Sequence, residues 1–526
     1  MSLRIAKIIC LVLLAFCISC REPQRADLKS FLPAGTLIYL EASDLSKVGG
    51  VFTENKDWRA LSDGSDSYLS YLKNKQAALA VIGFQNNDRG TALQVRPELA
   101  LVIDTQSSGS QAVFTAEKIL RELSRRFSGQ DAGVEKQEIE NAQWMTAPGS
   151  DGQKIYATVS GQVVLIANSE NALRQCLDVR QGKAANLLNN SEFAQAGDQD
   201  GAADQIAFGY VSSAGIKELS NYLAVSYALK TSENTLIREM ISGILPEMTQ
   251  KTVTSVTWSA RATSAGVEDT YFIKTDKEFA GTIFQTVKAS AANDQCDSKY
   301  IPQDIFSTTC YRLEDPQLAW RGALLSLAKQ LDPKALGAFQ LFSGQLLKPY
   351  GIDDPELFLS AAGPQIATAR FDADANIAAA IVKIKDKAKL KQAMSETFDF
   401  RAAPDTKNDV EFWKSRDGEF AAAFAGDDLI IGNSEGVMEC LRAAKTENIS
   451  APEIPTTFSA PGAIFVTRQK DDSAIQILSE MAAQRGRSVD VKSYAFVETR
   501  IEARGIKRRA LSAFGLFGEI FRQAIE

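Results

Sequence analysis

Histidine is absent from all 526 residues of this chain, and that absence bounds its chemistry more tightly than any motif it carries. Without an imidazole the chain holds no Ser-His-Asp or Cys-His nucleophilic system and no His-ligated zinc, copper or haem. The side chain that most readily moves protons near neutral pH is missing too. Carboxylate chemistry and Ser-Lys dyads survive the exclusion. Also lacking are a Walker loop, a dinucleotide fingerprint, a Gly-x-Ser-x-Gly elbow and, after Cys20, any Cys-x-x-Cys spacing. No metal or cofactor is therefore expected. Basic charge is in the minority: 58 Lys and Arg face 65 Asp and Glu, a formal charge of −7 that becomes −9 when Arg4 and Lys7 leave with a signal. Such a chain has no general attraction to nucleic acid, which is not expected as a partner. The basic run Lys507-Arg508-Arg509 reads as a solvated strand face.

Long apolar runs are lacking as well, with one short exception at the start. Arg4 and Lys7 form a positive n-region, and Ile8 to Ile18 an apolar run. About a dozen apolar residues cannot cross a ~30 Å hydrocarbon layer as a stable helix, which needs roughly twenty. Residues 1–19 therefore read as a cleavable signal. They end in Cys17-Ile18-Ser19, and with Cys20 this resembles the bacterial lipobox, although Cys17 stands where Leu is usual. The resemblance implies a lipoprotein with its acyl chains, palmitate among them, on Cys20, and the lipid bilayer as a partner. Arg21 next to that site resembles the outer-membrane pattern. The expected address is the cell envelope, on the periplasmic face of the outer membrane in a Gram-negative organism. Residues 20–30 form a tether to the first strand near Thr36, at most ~55 Å when extended, so the body works close to a membrane surface.

Later cysteines are few. Cys176 and Cys440 fall in amphipathic helices, where small buried hydrophobes are expected. Cys296 and Cys310 flank a loop, and export makes them a candidate disulfide worth ~3 kcal/mol.

What the chain does carry is an ordered series of internal matches. Gly161-Gln-Val-Val-Leu-Ile-Ala-Asn-Ser-Glu170 aligns without a gap on Gly426-Asp-Asp-Leu-Ile-Ile-Gly-Asn-Ser-Glu435. Upstream, Asp151-Gly152 and Asp417-Gly418 separate strand-like runs, a hairpin signal because the turn needs positive φ. Trp144 and Trp413 precede these turns. The helix with Ile119, Leu120, Leu123 and Phe127 answers the one with Leu390, Ala393, Met394 and Phe398. Arg261 to Gly266 matches Arg500 to Gly505, and Gly281-Thr-Ile-Phe284 matches Gly518-Glu-Ile-Phe521. Strands of period two and one-sided helices predict an α+β fold of two similar tandem modules. Each would be a mainly antiparallel sheet, including a three-stranded meander, packed with helices. The expected modules are residues 31–290 and 296–526, divided in the polar stretch 291–299.

Few residues offer chemistry. Asn168-Ser169 and Asn433-Ser434 open helices, where free N–H groups can hold an anion; the competing reading is a plain N-cap with Glu suited to the dipole. Asp372-Ala-Asp-Ala-Asn376 opens like a calcium loop, but Ile377 and Lys383 stand where Gly and Glu are required, so a hairpin turn is expected. Asp63-Gly-Ser-Asp66 reads as a polar loop. Ser326-Leu-Ala-Lys329 has the spacing of penicillin-recognising enzymes in the context of a packed helix, without Lys-Thr-Gly. No catalytic residue emerges.

Leu32-Pro33-Ala34-Gly35-Thr36-Leu37-Ile38-Tyr39-Leu40-Glu41, followed by Asp44-Leu45, resembles the opening of a group of exported bacterial lipoproteins with domains of unknown function. These proteins share the Asn-Ser strand-to-helix junction. The resemblance implies the duplicated module and no activity or site residue. The leading expectation is a membrane-anchored envelope protein, a non-catalytic binder of an envelope protein or small ligand at the face or cleft shared by the modules, or a scaffold. The alternative is a carboxylate-dependent hydrolase of envelope polysaccharide or peptide, which needs converging carboxylates.

Overall fold

Val163–Ala167 is apolar and buried at all of its positions, so its strand is covered on both faces. Strands of this kind recur through the computed structural model, which describes residues 25–61, 75–89, 92–129, 133–139, 142–197, 204–231, 235–290, 298–344, 346–407, 410–445 and 462–525. The signal with Cys20, the loop Asp63–Asp66 and Cys296 lie outside the described residues. The fold is α+β, and neighbouring strands run antiparallel. Two compact units emerge, Met1–Gly49 with Asp66–Gly201, and Gly50–Ser65 with Ala202–Glu526.

The first unit contains β1 (Ile38–Ala42), β2 (Gln76–Arg89), β3 (Ala92–Asp104), β4 (Glu135–Ile139), β5 (Ala142–Pro148), β6 (Lys154–Ser160) and β7 (Val163–Ala167). They are ordered β1–β2–β3–β7–β6–β5–β4. Val164 and Ile166 pack with Ala112, Ala116 and Leu120 of the helix Gly109–Ser128. Phe127, expected on that apolar stripe, is exposed; Ser124 fills the position one turn on from Leu120 instead.

In the second unit lie β8 (Gln205–Val211), β9 (Val253–Thr263), β10 (Gly266–Thr275), β11 (Ser307–Arg312), β12 (Ala362–Arg370), β13 (Ala378–Ile384) and β14 (Asp405–Lys407). β15 (Val410–Lys414), β16 (Phe420–Ala425), β17 (Asp428–Asn433), β18 (Phe465–Lys470), β19 (Tyr494–Glu502) and β20 (Gly505–Ser512) complete it. Their order is β8–β9–β10–β20–β19–β18–β11–β12–β13–β17–β16–β15–β14. The stretch β11–β12–β13–β17–β16–β15–β14 repeats the connection order of β1 to β7. Both hairpin turns expected from Asp-Gly are present, with Gly152 at φ 74° and Gly418 at φ 76°.

One face of β13, β16 and β17 joins Leu390, Met394 and Phe398 around Val382, Phe424 and Ile431. Their other face joins Val437 and Cys440 of the helix Ser434–Ala443 around Ile381, Ala423 and Ile430. That two-sided burial is why these strands read as continuous apolar runs.

The expectation of a self-contained sheet in each half is corrected here. β10 and β20 pair from Val267↔Ser512 to Lys274↔Gly505, so strands from both halves share the sheet of the second unit. The compact units accordingly do not divide at 291–299. Leaving β10 and β20 unpaired would expose two long edges, and mutual pairing removes both. Phe52 and Trp58 follow the same logic: their rings pack on Phe514 and Phe521, which carries the early segment into the second unit.

Candidate functional site

The residues singled out in the sequence are held in structural bonds. Asn168 accepts from the Leu99 N–H at 2.8 Å and donates to the Pro97 carbonyl at 2.8 Å. Ser169 caps the helix Glu170–Arg180 by accepting from the Ala172 N–H at 3.0 Å, and its hydroxyl reaches the buried Glu98 at 3.1 Å. Asn433 accepts from the Glu435 N–H at 2.9 Å, and Ser434 donates to the Gly418 carbonyl at 2.7 Å. The two pairs lie in different units. Ser326 is buried and donates to the Gly322 carbonyl at 2.7 Å, while Lys329 pairs with Glu278. Asp372 accepts from the Asn376 and Ile377 N–H groups, closing a turn. Among the described residues no group of Cys, Asp and Glu could hold a metal ion. Cys310 is disulfide-bonded; Cys296, its expected partner, is outside the described residues. Cys176 and Cys440 are free, buried thiols.

The space a ligand could use is elsewhere, under the helix Pro316–Ala328 in the second unit. Asp315 caps this helix through the Leu318 N–H at 2.9 Å, and Pro316 occupies its first turn. Its inner side is built from small residues. Gly322 lets the helix Lys277–Thr286 approach so closely that a Cβ there would collide with Thr286. Ala319 and Ala323 face Thr368 of β12 and Ala380 of β13 across a gap, and four short side chains cannot fill it. The result is a cavity of about 350 Å³. Phe358, Trp320, Ile366, Val382 and Phe465 supply much of its wall, and no charged side chain lines it.

Polarity is confined to one direction along the sheet. On the cavity face, β-pairing sets Tyr311 beside Ile366 and Phe465, and Ile366 beside Val382. Two residues along, Thr309 lies between Thr368 and Thr467, with its hydroxyl 2.9 Å from that of Thr467. Two further, about 7 Å on, Ser307 lies between Arg370 and Gln469. Tyr350 closes the space from the turn Lys348–Tyr350. Burial, with Tyr311 close by, pushes its hydroxyl pKa up, while Arg370 pulls the other way. The guanidinium is thus near enough to act on charge at the tyrosine.

A second hollow of about 470 Å³ lies over β9, β10, β18, β19 and β20, and here carboxylates gather: Asp269, Asp471, Asp472 and Glu519. Burial raises the Asp269 carboxyl to about 6, although the Trp258 indole N–H (2.8 Å) and Leu516 N–H (2.9 Å) both donate to it. Burial raises Asp471 as well, against donation by Ala513 and Ala474 N–H groups. Each of these carboxylates therefore has both oxygens occupied at a helix start. Glu519 is held at about 2 by Arg522 and Ser473. Lys507-Arg508-Arg509, expected as a solvated face, is corrected by the strand's alternation: Arg508 lines this hollow, while half-buried Arg509 turns to the opposite face and pairs with Glu268 and Glu498.

Neither space was visible in the sequence, because Tyr311, Tyr350 and Phe465 are distant in the chain. The one usable signal was the density of small residues, Ala319, Gly322, Ala323 and Ser326 on a helix opposite Ala378-Ala379-Ala380. No helix among the described residues is long and apolar enough to cross a membrane. No family model and no curated protein matches the chain. Among solved structures it is similar to TP0453 in crystal forms IV, I and III, at 9%, 10% and 11% identity and TM-scores of 0.27, 0.24 and 0.24, covering 48% of this chain and 81%, 80% and 80% of the other.

Proposed function

We propose that the mature chain is a lipid-anchored protein of the bacterial envelope that holds an apolar ligand without transforming it. The cavity under the helix Pro316–Ala328 carries this reading: 350 Å³ is within the range of small-molecule sites, and its lining offers no nucleophile–base pair or carboxylate. The anchor rests on the signal pattern ending at Cys20. We read the body as a fused duplicate of one α+β module, supported by the shared connection order of β1–β7 and β11–β17.

Binding is tested with a neutral apolar probe, N-phenyl-1-naphthylamine, on the mature chain bearing Cys20→Ala. Saturable fluorescence enhancement that is lost on filling the cavity with Ala319→Phe is expected; absence of any binding rejects the reading. Palmitate labelling of the wild type, lost in Cys20→Ala, tests the anchor.

A second reading, the carboxylate-dependent hydrolase, is favoured by one observation, the raised Asp269 and Asp471 in a shared hollow. It requires a hydrolytic activity on envelope polysaccharide or peptide that disappears in Asp269→Asn.

A further inference from the structure

Taking the cavity as the binding site proposed above, we infer that its ligand is a single-chain amphiphile, a fatty acid of roughly twelve to fourteen carbons, with its tail among Ile366, Val382 and Phe358 and its carboxylate toward Arg370. Size comes first. An engineered apolar cavity of about 150 Å³ accommodates one benzene. On that scale the 350 Å³ here holds roughly fourteen carbon atoms. A single flexible chain can follow a space bounded by two helices and a sheet, and it needs no hydrogen bond along its length.

Orientation follows from the register. The row Val382–Ile366–Tyr311–Phe465 is apolar apart from one phenol; the next, Ala380–Thr368–Thr309–Thr467, carries hydroxyls; the next, Ala378–Arg370–Ser307–Gln469, carries the cation. Polarity therefore rises in steps along one axis of one face. A hydrocarbon with no head would leave that gradient unused, and a bulky double-chain lipid exceeds the volume. Arg370 is exposed, so a carboxylate beside it stays hydrated and is not buried as a bare charge. The hydroxyls of Tyr350 and Thr368 are the donors that line the way to it.

The test is calorimetric titration of the mature chain bearing Cys20→Ala with saturated fatty acids from six to sixteen carbons, below their micelle concentrations, and with dodecanol. Affinity should rise about fourfold per methylene and level off near twelve to fourteen carbons. Arg370→Gln should weaken dodecanoate about threefold, as an exposed ion pair does, and leave dodecanol unchanged. Brominated dodecanoate should quench tryptophan fluorescence in the wild type and lose most of that quench in Trp320→Phe, a check that does not depend on a filled-cavity variant folding. Affinity without chain-length dependence, or quenching indifferent to Trp320, overturns the assignment. Binding of the naphthylamine probe and dodecanol but of no fatty acid sinks the head-group inference alone and leaves the broader reading standing. Failure of all three removes both.

Discussion

Arg509 of β20 holds Glu268 of β10, 241 residues away, with Nη2 2.9 Å from Oε2. The other arm of the same guanidinium, Nη1, lies 2.9 Å from Oε1 of Glu498 on β19. Burial works against ionisation of Glu268, yet Arg509 and Arg261 together hold its pKa below the usual range. One side chain thus ties three neighbouring strands across the β10–β20 seam.

Replacing Arg509 with Met should therefore cost far more than a surface ion pair. Glu498 is fully buried, and removing Arg509 leaves it only Arg500, at 3.1 Å, and leaves Glu268 only Arg261, at 3.2 Å. With those two arginines still in place, a loss of about 2–3 kcal/mol is expected, the worth of hydrogen bonds to charged groups, below the cost of leaving a buried charge bare. Arg509→Lys should fall between, since a single ammonium cannot fork onto both. Urea unfolding measures both; a loss under about 1 kcal/mol for the Met variant would mean that the seam holds without this link.

Asp269 makes a prediction about pH. Its folded carboxyl is raised from 3.8 to about 6, so the folded state binds the proton more tightly than the unfolded chain. The stability it contributes is complete below pH 3.8 and is lost as pH climbs to about 6. A displacement from 3.8 to about 6 corresponds to about 3 kcal/mol. Asp269→Asn cannot titrate. The difference in unfolding free energy, wild type minus variant, should fall by about that amount between pH 3.8 and 6 and stay flat above. Asp471 and Glu519 titrate in both proteins and cancel from the difference. A flat difference curve would show that Asp269 ionises freely in the fold.

Much of this local structure was legible because short-range chemistry decides it. Asp-Gly turns need positive φ, and Gly152 and Gly418 have it. Ser169 and Asn433 are caps because the first N–H groups of any helix seek an acceptor. The pairing of β10 with β20 was not legible, since either strand's alternation is satisfied by any antiparallel neighbour and says nothing about which. The cavity was hidden for a related reason. Ala319, Ala323, Thr368 and Ala380 are each ordinary core residues, and only their meeting leaves space. Arg509 shows the same limit: a run of three basic residues reads as solvent-facing until the strand's alternation turns the third toward Glu268.

The cysteines can be counted in three states. Burial pushes both Cys176 and Cys440 up to about 12, so near pH 8 only about one in ten thousand of either is the reactive thiolate. Cys310 is already bonded. A mature chain bearing Cys20→Ala should show no fast-reacting thiol when native, two when unfolded without reductant, and four when unfolded and reduced. Four before reduction would exclude the Cys296–Cys310 bond.

The glycines that close the two matched hairpins give the sharpest test of the seam. Gly266 has φ 132°, and a Cβ on it would run into the carbonyl of Ser512; Gly505 has φ 158°, and its Cβ would strike the carbonyl of Ile273. Each begins a strand and abuts the far end of the other, as Val267↔Ser512 and Lys274↔Gly505 require. Alanine at either site meets backbone strain and a backbone clash together, so about 2 kcal/mol or more should be lost each time. Gly161 and Gly486 are the controls. They also have positive φ, 64° and 66°, but open space where Cβ would go, and alanine there should cost only about 1 kcal/mol. Thermal unfolding of the four variants decides the matter. Equal losses at all four would mean that φ alone governs and that β10 and β20 can move apart at little cost, whereas a clear excess at both Gly266 and Gly505 marks a rigid seam held in the same way at its two ends.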